Sequence, residues 1–186
     1  MKILNNYRIL DNQKFKFEDF EISPIKFEHR YQIMNWRNEQ IDYLRQTNHL
    51  TRQDQDNYFK KVIFKQFNHQ KPSQILFSLY NKNKLIGYGG LVHINWIHKN
   101  AEISFLLKTE LNKKNTYHES FKSFLFLIEK VARSVHLHKI FTYGYDLNKY
   151  RFYPLKELNF LKEATLIKHK RINGKLIDVL IYSKII

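Results

Sequence analysis

Residues 101–120 read AEISFLLKTELNKKNTYHES, and they are the most informative stretch of the chain. An apolar segment with strand character runs into a polar turn that contains two adjacent lysines, and a helical pattern begins just after the turn. The start of a helix presents unpaired backbone N–H groups, which suit a bound anion. Anion-binding loops usually contain glycine, because bare backbone can approach the anion closely, but Asn115 and Tyr117 stand here. The stretch predicts either a glycine-free anion-binding loop or an ordinary solvated turn.

Three antiparallel strands are predicted up to and including the start of this stretch. The polar turn NKNK separates SQILFSLY (73–80) from LIGYGGLVHINW (85–96), an arrangement that is typical of a β-hairpin. The third strand, NAEISFLL (100–107), follows after a short turn. Three glycines in the second strand predict a β-bulge or a close backbone neighbour: Gly87, Gly89 and Gly90.

A long helix and a second group of strands are predicted after the loop. Apolar residues recur at helical spacing over residues 117–135. NKYRFYPLKEL (148–158) reads as mostly helical. The remaining segments read as strands at 139–146, 159–170 and 175–186, and the dipeptide Asn173-Gly174 predicts the turn of a final hairpin.

The first part of the chain predicts one strand and two helices. An extended piece runs to about Lys26, and Pro24 within it suits an edge strand. A helix is predicted over residues 28–38. Thr51 followed by Asp54 is typical of a helix start, with Thr51 as the N-cap.

This order of elements predicts an α/β fold. The central sheet is expected to be mixed but mostly antiparallel, with about seven strands and with helices on both faces. A length of 186 residues fits one domain, 1–186, in which residues 1–15 form an N-terminal extension.

Composition limits the classes of partner. Lys plus Arg is 32 against 17 for Asp plus Glu, a net charge of +15, which favours polyanionic partners such as nucleic acid, anionic membranes or phosphorylated small molecules, although a biased genome also enriches lysine. The basic residues are dispersed, so we expect no nucleic-acid partner. Cysteine is absent and no apolar run reaches the roughly 18 residues of a membrane span. A cytoplasmic protein without a membrane span or a signal peptide is the expectation.

Three local phrases accompany this order of elements: WRN (36–38), AEISFLL (101–107) and NKYRFYPLKELNFLKEA (148–164). Together with the order, they resemble the GCN5-related N-acetyltransferase (GNAT) superfamily. The resemblance implies a GNAT fold and acetyl-CoA as co-substrate, with no metal. It also implies that the coenzyme arm lies along the strand backbone at four residues: Ser104, Phe105, Leu106 and Leu107.

A closer resemblance is to acetyltransferases of bacterial nonulosonic (pseudaminic) acid pathways, which acetylate the 4-amino group of a UDP-linked amino sugar. It rests on IGYGGLVHINWIHKN (86–100) and IDVLIYSK (177–184). The acceptor that this resemblance implies is a small-molecule amine, a nucleotide-linked amino sugar.

The loop of residues 112–117 departs from the coenzyme-binding pattern of the superfamily, which is Gln or Arg, two residues, Gly, one residue, then Gly or Ala. Asn112, Asn115 and Tyr117 take the three patterned positions. Asn tolerates a positive φ and donates through its amide, whereas a tyrosine ring could obstruct the coenzyme diphosphate. We expect main-chain donors, the charges of Lys113 and Lys114, and the hydroxyl of Thr116 to compensate.

The resemblance also implies catalytic residues. Glu102 is the first candidate for the base that takes the amine proton, and His93 and His98 are the next, since imidazole titrates in a useful range. In the family, an asparagine contacts the coenzyme arm, and a tyrosine seven residues later is the acid. Asn148 matches the asparagine. Leu155 stands at the position of the tyrosine, so Tyr153 is the candidate acid in its place.

Two alternatives stay open on sequence grounds. One is a protein, peptide or small-amine acetyltransferase of the same fold, because a fold does not determine the acceptor. The other is a catalytically idle relative that binds an anionic partner. The sequence does not indicate an oligomeric state.

Overall fold

A computed structural model describes residues 5–186. These residues form one eight-stranded sheet with the strand order β1-β2-β3-β4-β5-β6-β8-β7. The strands are β1 Phe15–Phe17, β2 Phe20–Pro24, β3 Ile75–Asn81, β4 Lys84–Asn95, β5 Asn100–Leu107, β6 Lys139–Tyr145, β7 Leu161–Ile172 and β8 Lys175–Ile185. The α-helices are α1 Arg30–Glu39, α2 Arg52–Tyr58, α3 Phe64–Asn68, α4 Lys114–Ser134 and α5 Tyr153–Glu157.

Shorter helical turns connect these elements. Four are 3₁₀ turns, at Phe27–His29, Ile41–Tyr43, Thr109–Leu111 and Lys149–Phe152. A π-helical turn, Phe59–Ile63, joins α2 to α3.

Strands β5 and β6 form the parallel pair of this otherwise antiparallel sheet, and they separate along their length. The register pairs Asn100 with Lys139 and Glu102 with Phe141, and the pairing stops there. Both strands continue, β5 to Leu107 and β6 to Tyr145. A gap therefore opens between two strands in the middle of the sheet.

The predicted α/β class and the mixed, mostly antiparallel sheet are confirmed. The sheet has eight strands rather than about seven because a three-residue strand, Phe15–Phe17, pairs with β2. β2 is consequently an interior strand, so the expectation that Pro24 lies in an edge strand is wrong. Pro24 closes β2 beyond the last residue that pairs with β1, where its missing N–H costs no hydrogen bond to that neighbour.

The predicted N-terminal extension lies partly outside the described residues. From Asn5 onward it packs on the domain: Tyr7 is buried, and its hydroxyl donates to Leu76 O and accepts from Leu76 N. Its ring packs against Phe67 with a centroid distance of 4.5 Å. This segment therefore contributes to the hydrophobic core.

Helix α4 packs against the sheet beside this gap. It begins at Lys114, three residues before the predicted start at 117, because Lys113 already has the extended conformation of an N-cap, with φ −101° and ψ 150°. Its buried stripe follows the predicted spacing and includes Phe121 and Phe124, which pack on Phe105 of β5.

The glycines of β4 allow the neighbouring strands to approach closely, as predicted. A Cβ on Gly89 would lie 2.2 Å from Ser104 O, and one on Gly90 would lie 2.0 Å from Ile75 O. β4 also carries two register shifts, one against β3 between Leu85 and Gly87 and one against β5 after Val92. The second places His93 in the left-handed region, with φ 51°.

The Thr51 N-cap is present as a full capping box with Asp54. The helix that follows it is interrupted by the π turn, which the helical spacing does not reveal. Phe59 and Ile63 stay buried in the core, while Tyr58 and Val62 are 39% and 36% exposed.

Candidate functional site

A cleft of about 650 Å³ passes through the gap between β5 and β6. Ser104 and Phe105 line it from β5, and Tyr143 and Gly144 line it from β6. One half, here called the inner half, is walled by α4 and α5. The other, here called the outer half, is walled by α1, the π turn and β4. The cleft therefore connects the two faces of the sheet.

The start of α4 offers unpaired backbone donors at the edge of the inner half. The first main-chain bond of this helix runs from Tyr117 N to Lys113 O, so Lys114, Asn115 and Thr116 precede it, and Lys113 makes no side-chain cap. Asn115 lies inside the first helical turn and not at a positive φ. We expected Asn115 to preserve a turn by adopting a positive φ. This expectation is wrong, because Asn115 is helical and no turn is needed there.

The Tyr117 ring points into the inner half and forms part of its wall. It is buried and packs on Phe105, Phe121 and Tyr150, with centroid distances of 5.5 to 6.0 Å. Burial raises the pKa of its hydroxyl to about 12. The ring narrows the inner half without closing the cleft, which stays open beside it.

A bridge of four side chains crosses the opening between the loop that precedes α4 and the turn that follows β6. Arg151 donates from Nη2 to Asn112 Oδ1 at 2.8 Å, and its guanidinium lies over the ring of Tyr43 at 3.8 Å. Asn148 Nδ2 donates to the Tyr43 hydroxyl at 2.7 Å. Asn112 and Asn148, both expected to bind the coenzyme, are therefore held by protein partners.

Lys113 and Lys114 are exposed beside the helix start, and Thr116 is half-buried there. Of the four strand residues expected along the coenzyme arm, Ser104 and Phe105 line the cleft. Leu106 and Leu107 are buried near the end of β5.

Glu102 and His93 meet in the outer half through Arg45. Arg45 Nη2 lies 2.6 Å from Glu102 Oε1, and its Nη1 lies 3.3 Å from His93 Nε2. The Glu102 side chain is only 12% exposed. The Arg45 guanidinium can only donate, so it forms a hydrogen bond to His93 in the tautomer that leaves Nε2 without a proton. The Arg45 guanidinium also stacks on the Tyr143 ring at 4.0 Å.

The two other predicted catalytic residues lie outside the cleft. His98 is exposed in the turn between β4 and β5, with its backbone held by Asn95. Tyr153 is 44% exposed at the first position of α5. Pro154 follows it at the start of the helix, and Leu155 is the residue of this segment that faces the cleft. The geometry thus supports a chemical role for neither His98 nor Tyr153.

Three arginines that sequence reasoning missed line the cleft: Arg37, Arg45 and Arg151. Arg37 is held by the Tyr88 hydroxyl at 2.7 Å, and its pKa is raised chiefly by that tyrosine. Glu102 is the single carboxylate among the described residues that line the cleft. The lining therefore carries net positive charge.

Within residues 5–186, no three His, Asp or Glu side chains are grouped as a metal ion would require. Over the same range, no helix is both long and apolar enough to cross a bilayer.

Solved structures share this fold at low identity. Spermidine N-acetyltransferase from Vibrio cholerae, crystallised with CoA and spermine, matches with a TM-score of 0.76 and 20% identity, over 91% of this chain and 96% of that one. Ribosomal-protein-S5-alanine acetyltransferase from Vibrio fischeri matches with a TM-score of 0.69 and 22% identity, over 94% and 97%. At these identities the likeness establishes the fold alone, and the acceptors named are not nucleotide sugars.

Two further comparisons concern the sequence itself. No curated protein sequence matches the chain. The family model described as an acetyltransferase (GNAT) domain matches residues 23–181, which include every strand and helix that lines the cleft. The chain therefore belongs to the GNAT family of acetyltransferases.

Proposed function

We propose that this GNAT enzyme transfers the acetyl group of acetyl-CoA to the amine of a nucleotide-linked amino sugar. The observation that carries the proposal is the charge of the outer half, where two guanidinium groups, Arg37 and Arg45, face one described carboxylate, Glu102, so that one positive charge is in excess. Such a wall attracts an anionic acceptor, because the phosphates of a nucleotide compensate guanidinium charge.

Acetyl-CoA is the acyl donor, and the residues at the inner half fit it. The uncapped start of α4 faces this side, and the exposed ammonium groups of Lys113 and Lys114 flank it. A helix start of this kind stabilises a diphosphate through N–H donors and partial positive charge, without glycine. When bound, the coenzyme supplies a thioester whose carbonyl carbon is open to attack.

The separation of β5 from β6 supplies a place for the reaction. Beyond Glu102 the edge of β5 that faces β6 has no strand partner, so backbone groups between Ile103 and Leu107 are available to a ligand. N–H groups there would stabilise the oxyanion that forms when the amine attacks the thioester carbonyl. No side chain is required for that contact.

Proton transfer is assigned to the Glu102, Arg45 and His93 group. The amine nitrogen forms a bond to the carbonyl carbon, the carbon–sulfur bond breaks, and the sulfur leaves as a thiolate, which takes a proton from water. Glu102 accepts the proton that the amine loses, directly or through water. His93 is the second candidate base, and it must first release the Arg45 contact that occupies Nε2.

A polyamine or peptide amine is the second candidate acceptor, favoured by the acceptors of the structural neighbours. A polyamine is a polycation, and its binding would be opposed by the arginines of the outer half. The charge of the cleft therefore ranks the nucleotide sugar first.

The test is a thiol-release assay with acetyl-CoA and a panel of acceptors: UDP- and dTDP-linked amino sugars, the same sugars without nucleotide, spermidine, and peptides. We expect turnover with at least one nucleotide-linked sugar and an acetylated product by mass spectrometry. Arg45→Gln should raise the KM of that acceptor about tenfold, as expected for loss of a charge-assisted contact. Arg52→Gln, an exposed change of equal charge, is the control. Turnover confined to spermidine or peptides would overturn the proposed acceptor.

A further inference from the structure

Arg151 carries a charge that the protein leaves uncompensated. Its guanidinium lies between the rings of Tyr43, at 3.8 Å, and Tyr117, at 4.6 Å. Within residues 5–186, no carboxylate lies within 4 Å of it. A shielded cation without a counter-charge is unfavourable, which suggests a missing anionic partner.

The hydrogen bonds of Arg151 are also incomplete. Nη2 donates to Asn112 Oδ1, whereas Nε is buried and has no partner. Buried donors are satisfied in most proteins, and an exception calls for a ligand or another explanation. Here the unsatisfied donor belongs to a side chain that lines the cleft.

The guanidinium of Arg151 lies beside the loop of residues 112–117. Its partner Asn112 lies just before the start of α4, where Lys114 to Thr116 have no protein cap. The Asn112 amide is already engaged at both ends, because Nδ2 donates to Gln40 Oε1 at 2.9 Å and Oδ1 accepts from Arg151. The loop therefore lacks a free basic or amide side chain at this position, and Arg151 reaches it from the turn after β6.

We propose that Arg151 is a coenzyme-binding residue that contacts the diphosphate of acetyl-CoA and replaces the basic side chain that is missing at position 112. Tyr43 and Tyr117 hold the guanidinium plane by stacking, which reduces the entropy lost on binding. The inference rests on the proposed use of acetyl-CoA and is independent of the acceptor.

Calorimetric titration of the full chain with CoA tests the proposal without turnover. Arg151→Met should raise the Kd of CoA about 10- to 100-fold, as expected for the loss of hydrogen bonds to a charged group. Arg151→Lys keeps the charge but loses the planar donors, so its Kd should fall in between. Arg133→Met is the matched control, because it removes an arginine near the far end of α4, where it pairs with Glu129.

Fragments of the coenzyme identify which anion is bound. Dephospho-CoA keeps the diphosphate, so it should show the same loss with Arg151→Met. Pantetheine lacks the diphosphate and the 3′-phosphate, so its Kd should be equal for wild type and variant. A loss that appears with CoA but not with dephospho-CoA would assign Arg151 to the 3′-phosphate and overturn the diphosphate contact.

The remaining outcomes separate this inference from the proposed function. If wild type binds CoA and Arg151→Met binds it equally well or more tightly, Arg151 is a structural bridge and the inference is wrong. If wild type itself fails to bind CoA, both the inference and the use of the coenzyme are wrong. Thermal unfolding of each variant without ligand shows whether a loss comes from unfolding, and Arg151→Lys remains informative if Arg151→Met does not fold.

Discussion

Arg45 and Glu102 form an ion pair inside the cleft, with Nη2 2.6 Å from Oε1. Arg45 comes from the segment that follows the 3₁₀ turn at Ile41–Tyr43, and Glu102 comes from the last position at which β5 pairs with β6. The pair therefore holds a carboxylate at the point where the two strands separate. It also brings His93 into the same group, since Arg45 contacts both side chains.

Glu102→Gln tests the role of that carboxylate. The amide keeps an acceptor for Arg45 but cannot take a proton from the amine, so kcat should fall about 100-fold while the Kd of CoA stays the same. Steady-state rates across pH and calorimetry of CoA measure the two quantities. The control is Glu110→Gln, an exposed change just after β5. A pH–rate profile identical to that of wild type would remove Glu102 from the role of base.

Lys113→Gln with Lys114→Gln tests the charge beside the start of α4. Both side chains are exposed, so their contribution is modest, and the Kd of CoA should rise about 3- to 10-fold at low ionic strength. The difference should shrink as salt is added, because exposed charges are screened. The control is Lys130→Gln with Lys162→Gln, an equal change of charge at exposed positions. Unchanged affinity at low salt would mean that the two lysines are merely solvated.

Gly89→Ala tests the close packing of β4 on β5. The added Cβ would lie 2.2 Å from Ser104 O and 2.8 Å from Phe124 Cζ, so β5 or α4 must shift. We expect a loss of about 1–3 kcal/mol in the free energy of unfolding, measured by urea titration. Gly174→Asn should change little, because nothing lies within 4 Å of that position and Asn tolerates its φ of +79°. A loss no larger at Gly89 than at Gly174 would contradict the close approach.

His29 makes stability depend on pH below neutrality. Burial lowers the pKa of its imidazole, more than the nearby Glu28 raises it, and Nδ1 lies 2.7 Å from Ser78 Oγ. In the unfolded chain the His29 imidazole takes up a proton near its ordinary pKa of 6.5, whereas in the folded chain it stays neutral at that pH. His29 therefore stabilises the folded state at pH values above 6.5. This stabilisation is lost as the pH falls toward the lower pKa that His29 has in the folded state.

The measurement for His29 is the free energy of unfolding at several pH values between about 7 and 5. Wild type should lose stability on acidification more steeply than His29→Gln, which cannot titrate. Other histidines titrate in both proteins, so the difference between the two slopes isolates His29. Parallel slopes would show that burial of His29 does not penalise its charged form.

The fold was predictable because most of its signals are local. Alternating apolar residues mark the strands, the helical stripe marks α4, and Thr51 with Asp54 marks a helix start. β1 was missed because three residues carry no measurable period. The π turn was missed because Phe59 and Ile63 are also compatible with an uninterrupted α-helix.

The site was less predictable because its residues meet only through tertiary folding. Arg45 and Arg151 lie in or beside short turns without periodic signal, and each finds its partner far along the chain, Glu102 and Asn112 respectively. Tyr153 was misjudged because spacing along a helix does not determine which residue faces inward. The direction is set by the start of α5 at Tyr153 and Pro154, which turns Leu155 into the cleft.

The central claim is that the outer half of the cleft accepts an anionic, nucleotide-linked acceptor. Calorimetric titration of the CoA-loaded protein with UDP, with dTDP and with spermidine, at low ionic strength, tests it most directly. The charge of Arg37 and Arg45 predicts that at least one nucleoside diphosphate binds, that Arg45→Gln weakens this binding, and that spermidine gives no measurable heat of binding. Saturable binding of spermidine, with neither nucleotide binding, would contradict the claim.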